Sequence, residues 1–298
     1  MDAPRIVLFS TPLISTWVFD ETHRILFDAG DGISAMLDSL IHKIRLAAIT
    51  HTHRDHCAGL MQLLNLRGGA GDFVVIHPEG SGSARTLATF LTSFDSRSTA
   101  KVTWIPLAEN ERYDIQPARH FIRSFATHHY PAQDPPRFMS AGYHIVRYVD
   151  KVREEFRHLP QEELDRIRKE RGKEALCETL EDILFSISGD TSPLDPGVFY
   201  KSRAMLHECT FMSVSEREEM DNYGHPHSCM EEVLDIARCA KVERLGLYHI
   251  SRRYEDEYIL CKVRETCQAM KIPFPVSVAL PGRVVTDLFS EEVWHGLP

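Results

Sequence analysis

The stretch His51-Thr52-His53-Arg54-Asp55-His56 places three imidazoles and one carboxylate within six residues. It directly follows the compact apolar run Leu46-Ala47-Ala48-Ile49-Thr50, which predicts a buried strand. A loop that leaves such a strand can turn His51 and His53 toward one point, and Asp55 and His56 toward a second point nearby. Zn²⁺ prefers nitrogen and carboxylate oxygen ligands, and catalytic zinc sites keep one position open for water. The stretch therefore predicts a catalytic centre with two metal ions.

Two metal sites need more ligands than this stretch supplies, and the candidates are polar residues at the ends of other predicted strands. The run Phe125-Ala126-Thr127-His128-His129 ends in two imidazoles, one of which is a candidate ligand. Asp190 lies in a Gly-Asp-Thr turn, where a carboxylate could bridge two ions. His249 follows the predicted strand 245–248. We expect these side chains to meet the 51–56 loop in the folded chain.

Apolar runs, tight turns and helix-prone stretches alternate along the chain, which indicates a layered α/β fold. Neither a repeat nor a low-complexity linker interrupts the pattern, so we expect a single domain over residues 1–298, with a charged helical insertion around 150–180. Ser228 followed by Glu231 predicts a capping box at the start of a helix. The predicted strands cover residues 5–9, 15–19, 24–28, 46–50, 73–76, 183–187 and 245–248, and the predicted helices cover 33–42, 59–66, 82–95, 151–172 and about 228–240.

Composition narrows the class of protein. Hydrophobic residues make up 43% of the 298 residues and charged residues 26%, as in an ordinary globular protein. No apolar run reaches the roughly 20 residues that span a bilayer, and the first residues do not resemble a signal peptide, so we expect a cytoplasmic protein without membrane contact. The net charge of −9 argues against broad, non-specific nucleic-acid binding. The seven cysteines lack Cys-x-x-Cys spacing and are predicted to be reduced thiols; Cys57, next to the histidine-rich stretch, is a minor candidate for metal contact.

Two ions about 3.5–4 Å apart could share a hydroxide and clamp the oxygens of a phosphate or acyl group during hydrolysis. The leaving oxygen then needs a proton. His225 and His227, at the start of the predicted helix near Ser228, are candidate donors.

Three segments resemble the metallo-β-lactamase superfamily and, within it, the ribonuclease Z family of tRNA 3′-processing endonucleases. The loop from His51 to Gly59 matches the superfamily's His-x-His-x-Asp-His motif. The segment Leu206-His207-Glu208-Cys209-Thr210-Phe211 is similar to the family's His-Glu-Ala-Thr-Phe segment. The segments 224–228 and 247–254 resemble its Gly-His-Ser-Thr and Thr-His-Phe-Ser-x-Arg-Tyr segments. The resemblance covers about residues 5–255.

The resemblance implies a four-layer αβ/βα sandwich, a homodimer and two divalent metal ions. Zn²⁺ is the preferred ion, with Mn²⁺ or Fe²⁺ as alternatives. It also assigns the ligands. One ion is held by His51, His53 and His129, the other by Asp55, His56 and His249, with Asp190 bridging. His129 is chosen over His128 because the family pattern Phe-x-Thr-x-His ends on His129.

The resemblance also assigns catalytic roles. Asp55 helps to position the attacking hydroxide, His227 rather than His225 donates the proton, and Glu208 orients His227. The implied reaction is hydrolysis of a precursor tRNA that leaves a 3′-hydroxyl on the tRNA.

Three departures from the family leave the substrate undetermined. The glycine-rich N-terminal segment is not evident in residues 1–20, and a charged, helix-prone segment stands where the family has a Gly-Pro-containing tRNA-binding arm. Extra residues, several of them prolines, also lie between His129 and Gly142. The first alternative is therefore a hydrolase of the same fold that acts on a small phosphodiester or ester-like metabolite. The second is a metal-binding interaction module without turnover.

Overall fold

The computed structural model describes residues 4–67, 72–94, 101–131, 135–220 and 226–296, and the strands in these ranges form two sheets. The first sheet has the order β1-β2-β3-β4-β5-β6; β1 to β3 run antiparallel and β3 to β6 run parallel. Its strands are β1 Ile6–Thr11, β2 Ser15–Asp20, β3 Ile25–Phe27, β4 Leu46–Ala48, β5 Phe73–Pro78 and β6 Val102–Leu107.

The second sheet has the order β14-β13-β12-β11-β10-β9-β8-β7. Strands β7 to β10 are antiparallel, β10 to β13 are parallel, and β14 closes the edge antiparallel to β13. Its strands are β7 Arg112–Ile115, β8 His120–Ala126, β9 Ala141–Val152, β10 Cys177–Ile187, β11 Met205–Glu208, β12 Leu245–Tyr248, β13 Val276–Val278 and β14 Glu292–Trp294.

The helices connect the strands, and several of them pack on the outer faces of the two sheets. They are α1 Ile33–Leu37, α2 Arg54–Cys57, α3 Leu60–Arg67, α4 Gly82–Phe94, α5 Gln161–Arg171, α6 Lys173–Leu176, α7 Val214–Met220, α8 Met230–Ala240 and α9 Asp256–Ala269. Within the described residues, each helix is too short or too polar to cross a lipid bilayer.

Alternating side chains build three apolar clusters, because successive residues of a strand face opposite sides of the sheet. Ile6 and Leu8 of β1 join the cluster between the sheets, where they meet side chains of the second sheet such as Tyr143. Val7 of β1 faces outward and packs with residues of α1 and α3. The outer face of the second sheet packs in the same way against α8 and α9. The layer order is therefore helix, sheet, sheet, helix, which confirms the predicted αβ/βα sandwich.

Two predicted helices differ from the structure. The helix predicted over 33–42 ends at Leu37 and continues as a 3₁₀-helix over Asp38–Lys43. The helix predicted over 151–172 is wrong at its start, because residues 151 and 152 belong to β9, which pairs with β10 in a long antiparallel hairpin. Within this segment α5 is confined to Gln161–Arg171 and ends at Gly172, whose positive φ of 82° suits glycine. The outer half of the hairpin is only partly buried. Its charged sequence therefore lacks the alternation of apolar and polar residues that predicts a strand.

The predicted capping box at Ser228 is also wrong by one residue. Cys229 is the N-cap of α8, and the Glu232 side chain accepts a hydrogen bond from the Cys229 backbone N–H. The hydroxyl of Ser228 instead donates to the carbonyl oxygen of Thr191 at 2.8 Å. The capping box is therefore formed by Cys229 and Glu232, and Ser228 contacts a distant loop instead.

Candidate metal centre

The predicted site residues lie in the loops that follow β4, β8, β10 and β12, at the end of β11 and in the segment before α8. Of these strands, β4 and β10 to β12 pair in parallel with a neighbouring strand. The carboxyl ends of parallel strands meet at one edge of a sheet, which is where α/β proteins bind ligands. His53 is extended and is the N-cap of α2, and the single turn of α2 carries Asp55 and His56. Gly59 lets this loop pack closely, because a Cβ atom there would lie 2.2 Å from the carbonyl oxygen of Gly30.

One group of donors consists of His51, His53 and His129, each offering a ring nitrogen within 4.8 Å of the others. Nε2 of His129 lies 3.1 Å from Nδ1 of His53. The neighbouring His128 belongs to none of the donor groups found among the described residues, and its backbone N–H donates to Oγ1 of Thr191. Of the two adjacent histidines, the structure thus brings His129 to the predicted site.

A second group consists of Asp55, His56 and His249, whose ligand atoms also lie within 4.8 Å of one another. His56 and His249 are buried, and Asp55 is partly exposed. Nε2 of His56 lies 3.6 Å from Oδ2 of Asp55.

Asp190 lies between the two groups. Its Oδ2 is 3.9 Å from Nε2 of His51, 3.3 Å from Nε2 of His56 and 3.4 Å from Nε2 of His249. Burial alone would raise the pKa of this carboxyl, but the adjacent imidazoles of His249 and His56 hold it well below its usual range. A buried carboxylate is thus available to both groups. Gly189 permits the turn that presents it, with a φ of +64°.

Several buried ring nitrogens and one carboxylate oxygen of this centre are suited to bind divalent cations. In the part of the chain that the structure describes, Nε2 of His51, His56 and His249 and Oδ1 of Asp190 are buried without a hydrogen-bond partner. Burying polar atoms in this way is costly unless a ligand satisfies them. Burial lowers the pKa of His51, His129 and His249, to about 3 for His129, so these rings are neutral and keep a lone pair for a metal.

His56 behaves differently from the other imidazoles. Burial alone would lower its pKa, but the charges of Asp190 and Asp28 raise it well above the ordinary value. The protonated ring lies between two carboxylates. A metal cation could take the place of its proton there.

Residues behind the donors contact the second nitrogen of the ring. Nδ1 of His51 lies 3.0 Å from Oγ1 of Thr50, and Nδ1 of His249 lies 3.1 Å from Oγ1 of Thr210. Such outer contacts fix which ring nitrogen faces a metal.

Asp28 is the outer residue that sequence reasoning missed. This buried carboxylate accepts hydrogen bonds from Nδ1 of His56 at 2.8 Å, from the backbone N–H of Thr50 at 2.7 Å and from the Thr50 hydroxyl at 2.8 Å. Burial raises its pKa, and the charge of His56 opposes that rise. The available signal was an aspartate at the end of the predicted strand 24–28, directly before Ala29-Gly30.

Glu208 and His227 form a hydrogen-bonded pair beside the donors. Nδ1 of His227 lies 2.8 Å from Oε1 of Glu208, which is fully buried. Burial disfavours the imidazolium, but the adjacent Glu208 carboxylate raises the pKa of His227 to about 9. The His227 ring stacks on His249, with centroids 5.4 Å apart, and its centroid is 5.2 Å from that of His129. His227 therefore borders both donor groups; His225 lies outside the described residues.

Cys57 forms no part of the donor groups found in the described ranges. Its Sγ donates toward the carbonyl oxygen of Thr52 at 3.7 Å, and burial raises the pKa of the thiol to about 11.

A cleft of about 680 Å³ adjoins the centre. Tyr130 connects the two, because it lines the cleft and its ring centroid is 5.4 Å from that of His53. The wall of the cleft also contains Arg137 and Phe138 from the proline-rich extra segment. This wall is anchored, because the carbonyl oxygen of Phe138 accepts a hydrogen bond from the backbone N–H of Gly80 at 2.8 Å. A Cβ atom at Gly80 would lie 2.6 Å from that same oxygen.

Comparison with known proteins agrees with this geometry. Residues 23–160 match a family model described as a β-lactamase superfamily domain. The chain is 30% identical over 274 residues to ribonuclease Z of Metallosphaera sedula, covering 85% of each protein. It is 27% identical over 237 residues to the chloroplastic tRNase Z TRZ2 of Arabidopsis thaliana; this match covers 76% of the chain but only 63% of that relative.

Solved structures show the same fold at lower identity. The metallo-β-lactamase fold protein YhfI from Bacillus subtilis superposes with a TM-score of 0.63 at 14% identity, covering 95% of this chain and 99% of YhfI. The short form of human tRNase Z superposes with a TM-score of 0.58 at 16% identity, covering 95% and 97% of the two chains. Together with the sequence relatives, these similarities show that the chain is a metal-dependent hydrolase that belongs to the ribonuclease Z family of the metallo-β-lactamase superfamily.

Proposed function

We propose that the chain is a dinuclear phosphodiesterase that removes the 3′ trailer from precursor tRNA. The observation that carries this proposal is a pair of donor groups with Asp190 between them and the Glu208–His227 pair at their border. His51, His53 and His129 would hold one divalent ion, and Asp55, His56 and His249 the other, with Asp190 shared. When bound, the ions would supply Lewis acidity and make water acidic enough to ionise near neutral pH. Zn²⁺ suits these donors best, and Mn²⁺ or Fe²⁺ would also be accepted.

The chain's own groups supply the proton transfers. Asp55 is held in place by the backbone N–H of Leu13, which donates to Oδ2 at 2.9 Å, and the carboxylate is positioned to orient the attacking water. Glu208 holds Nδ1 of His227, so the proton on Nε2 is free to pass to the leaving oxygen. Transfer of this proton would give the 3′-hydroxyl of the tRNA, while the trailer keeps the phosphate.

Two surfaces favour RNA over a small substrate. The cleft beside the centre offers aromatic rings at Tyr130 and Phe138 and a guanidinium at Arg137, groups that suit an unpaired nucleotide. The β9–β10 hairpin carries α5, which buries none of its residues, and Arg166, Arg168, Lys169 and Arg171 lie in its second half. This helix lines neither the cleft nor the donor groups, so it suits a remote phosphate contact better than a lid.

The test is cleavage of a 5′-labelled, 3′-extended precursor tRNA by the purified chain loaded with Zn²⁺ or Mn²⁺. We expect a single product that ends in a 3′-hydroxyl after the discriminator nucleotide, together with about two metal ions per chain. Asp190→Ala is the inactive control. Hydrolysis of a small model diester without cleavage of the tRNA would replace this proposal with a small-phosphodiester hydrolase, the reading favoured by the net charge of −9. Light scattering of the same sample tests the homodimer that the family resemblance predicts.

A further inference from the structure

A second cavity, of about 250 Å³, lies at the end of the sandwich opposite the donor groups. Its lining includes Ala204 and Arg244, which directly precede β11 and β12, whereas Glu208 and His249 lie at the other ends of those strands. His23 of the β2–β3 turn and His120 at the start of β8 complete the opening. The cavity is therefore built by both sheets and shares no lining residue with the centre described above.

Basic side chains outnumber acidic ones in this lining. Arg147, Arg203 and Arg244 all line the cavity, and Glu243 is the one acidic residue among its lining residues. Arg147 and Arg203 are held by a common carboxylate behind the wall, Asp182, at 2.6 and 2.8 Å. This shared contact orients both guanidinium groups.

The two imidazoles are oriented in the same manner. Nδ1 of His23 lies 2.6 Å from Oδ2 of the buried Asp20, and the His23 side chain is only 6% exposed. Nδ1 of His120 donates to the carbonyl oxygens of Pro117 and Ala118 at 3.1 and 3.2 Å. The ring centroids are 5.7 Å apart. Because Nδ1 of each ring is engaged, Nε2 is the atom available to a ligand. Burial lowers the pKa of His120, and the nearby Arg147 adds to this effect.

We propose that this cavity binds a phosphoryl dianion, either free phosphate or the terminal group of a small organic phosphate. Guanidinium groups recognise phosphate through paired hydrogen bonds. A bound dianion also favours the imidazolium form of a neighbouring ring, whose Nε2–H can then donate. The cavity has the volume of roughly eight waters at about 30 Å³ each, and Pro4, Pro117 and Leu184 give it apolar walls that suit an organic body beside the anion. A chain of net charge −9 otherwise repels such anions, so a positive, partly enclosed cavity would be selective.

The test uses the full, metal-loaded chain in calorimetric titrations and thermal unfolding with inorganic phosphate, AMP and adenosine. Phosphate can also bind at a metal centre, so variants must locate the binding. Arg244→Gln and His120→Gln alter the cavity, and Arg264→Gln on the exposed face of α9 removes the same charge elsewhere. We expect phosphate or AMP to bind saturably and to raise the unfolding temperature of the wild type and of Arg264→Gln by a few degrees. Arg244→Gln should weaken binding at least about tenfold, as expected for loss of a charged hydrogen bond.

The outcomes separate the possible sources. Equal affinity for phosphate and AMP identifies free phosphate as sufficient, and tighter binding of AMP identifies an organic phosphate. The proposal is overturned if neither anion binds saturably, if adenosine binds as well as AMP, or if both cavity variants bind like the wild type. Two cavity variants are used so that the proposal can still be tested if one of them fails to fold.

Discussion

Replacing Glu208 by glutamine should lower the rate of RNA cleavage more and more as the pH rises. In mild acid the rate should stay nearly unchanged. Glutamine keeps the size of the side chain but removes the negative charge beside His227. Oε1 of Glu208 faces Nδ1 of His227 and accepts from the backbone N–H groups of Thr191 and Ser228, and an amide oxygen can keep these three contacts. Oε2 accepts from the N–H and hydroxyl of Thr210, where an amide nitrogen would be less well matched.

The magnitude follows from the pKa of His227. The carboxylate raises this pKa to about 9 against the effect of burial, so without the charge it should fall to the ordinary value of about 6.5 or below. At about pH 8 the protonated fraction of His227 would then drop from roughly 0.9 to roughly 0.03, a loss of about 30-fold in a step that needs the acid. At about pH 6 the same substitution should cost only roughly 1.3-fold.

The assay is single-turnover cleavage of precursor tRNA across this pH range, with metal content measured on the same samples. Glu265→Gln, on an exposed position of α9, is the matched control and should follow the wild type throughout. A loss that is equal at every pH, with both metal ions retained, would show that Glu208 acts through local structure and not through the proton on His227.

Four further substitutions separate the roles of the site residues. His227→Ala should retain both metal ions and lower turnover by about 10²-fold or more; loss of metal, measured by elemental analysis, would identify it as a ligand instead. Asp190→Ala should lose metal, since both donor groups share its carboxylate, and full metal content would contradict that position. Asp28→Asn should weaken metal affinity by about 10- to 100-fold in a chelator competition, because it orients His56 from behind; unchanged affinity would limit Asp28 to a folding role. Arg137→Ala should raise KM for precursor tRNA several-fold and leave hydrolysis of a small diester unchanged, and an equal effect on both substrates would remove the cleft from RNA recognition.

The metal donors could be predicted from the sequence where they lie close together in the chain or directly follow a predicted strand. His51, His53, Asp55 and His56 are adjacent in sequence, and the remaining donors follow predicted strands that the fold brings to one edge. The choice of His129 over His128 needed the family pattern, because both residues follow the same strand. The metal roles of these residues stay predictions until ions are measured.

Features that depend on distant contacts were not readable from the sequence. Asp28 became part of the centre because parallel pairing of β3 with β4 places it beside Thr50 and His56. The outer half of the β9–β10 hairpin has a charged sequence that favours helix, and the strand forms there because its partner lies opposite. Ser228 has good capping chemistry, but its hydroxyl is engaged by Thr191.

The donors of the proposed metal ions are divided between the two sheets. The 51–56 loop leaves the first sheet, while His129, Asp190 and His249 leave the second. Direct protein bonds across this seam include the Tyr143 hydroxyl donating to the carbonyl oxygen of Ile49 at 2.8 Å. Bound cations would hold the two halves of the sandwich together, since a ligand bound only by the native state stabilises that state. Metal supply in the cell would then set both the activity of this hydrolase and how long each copy escapes proteolysis.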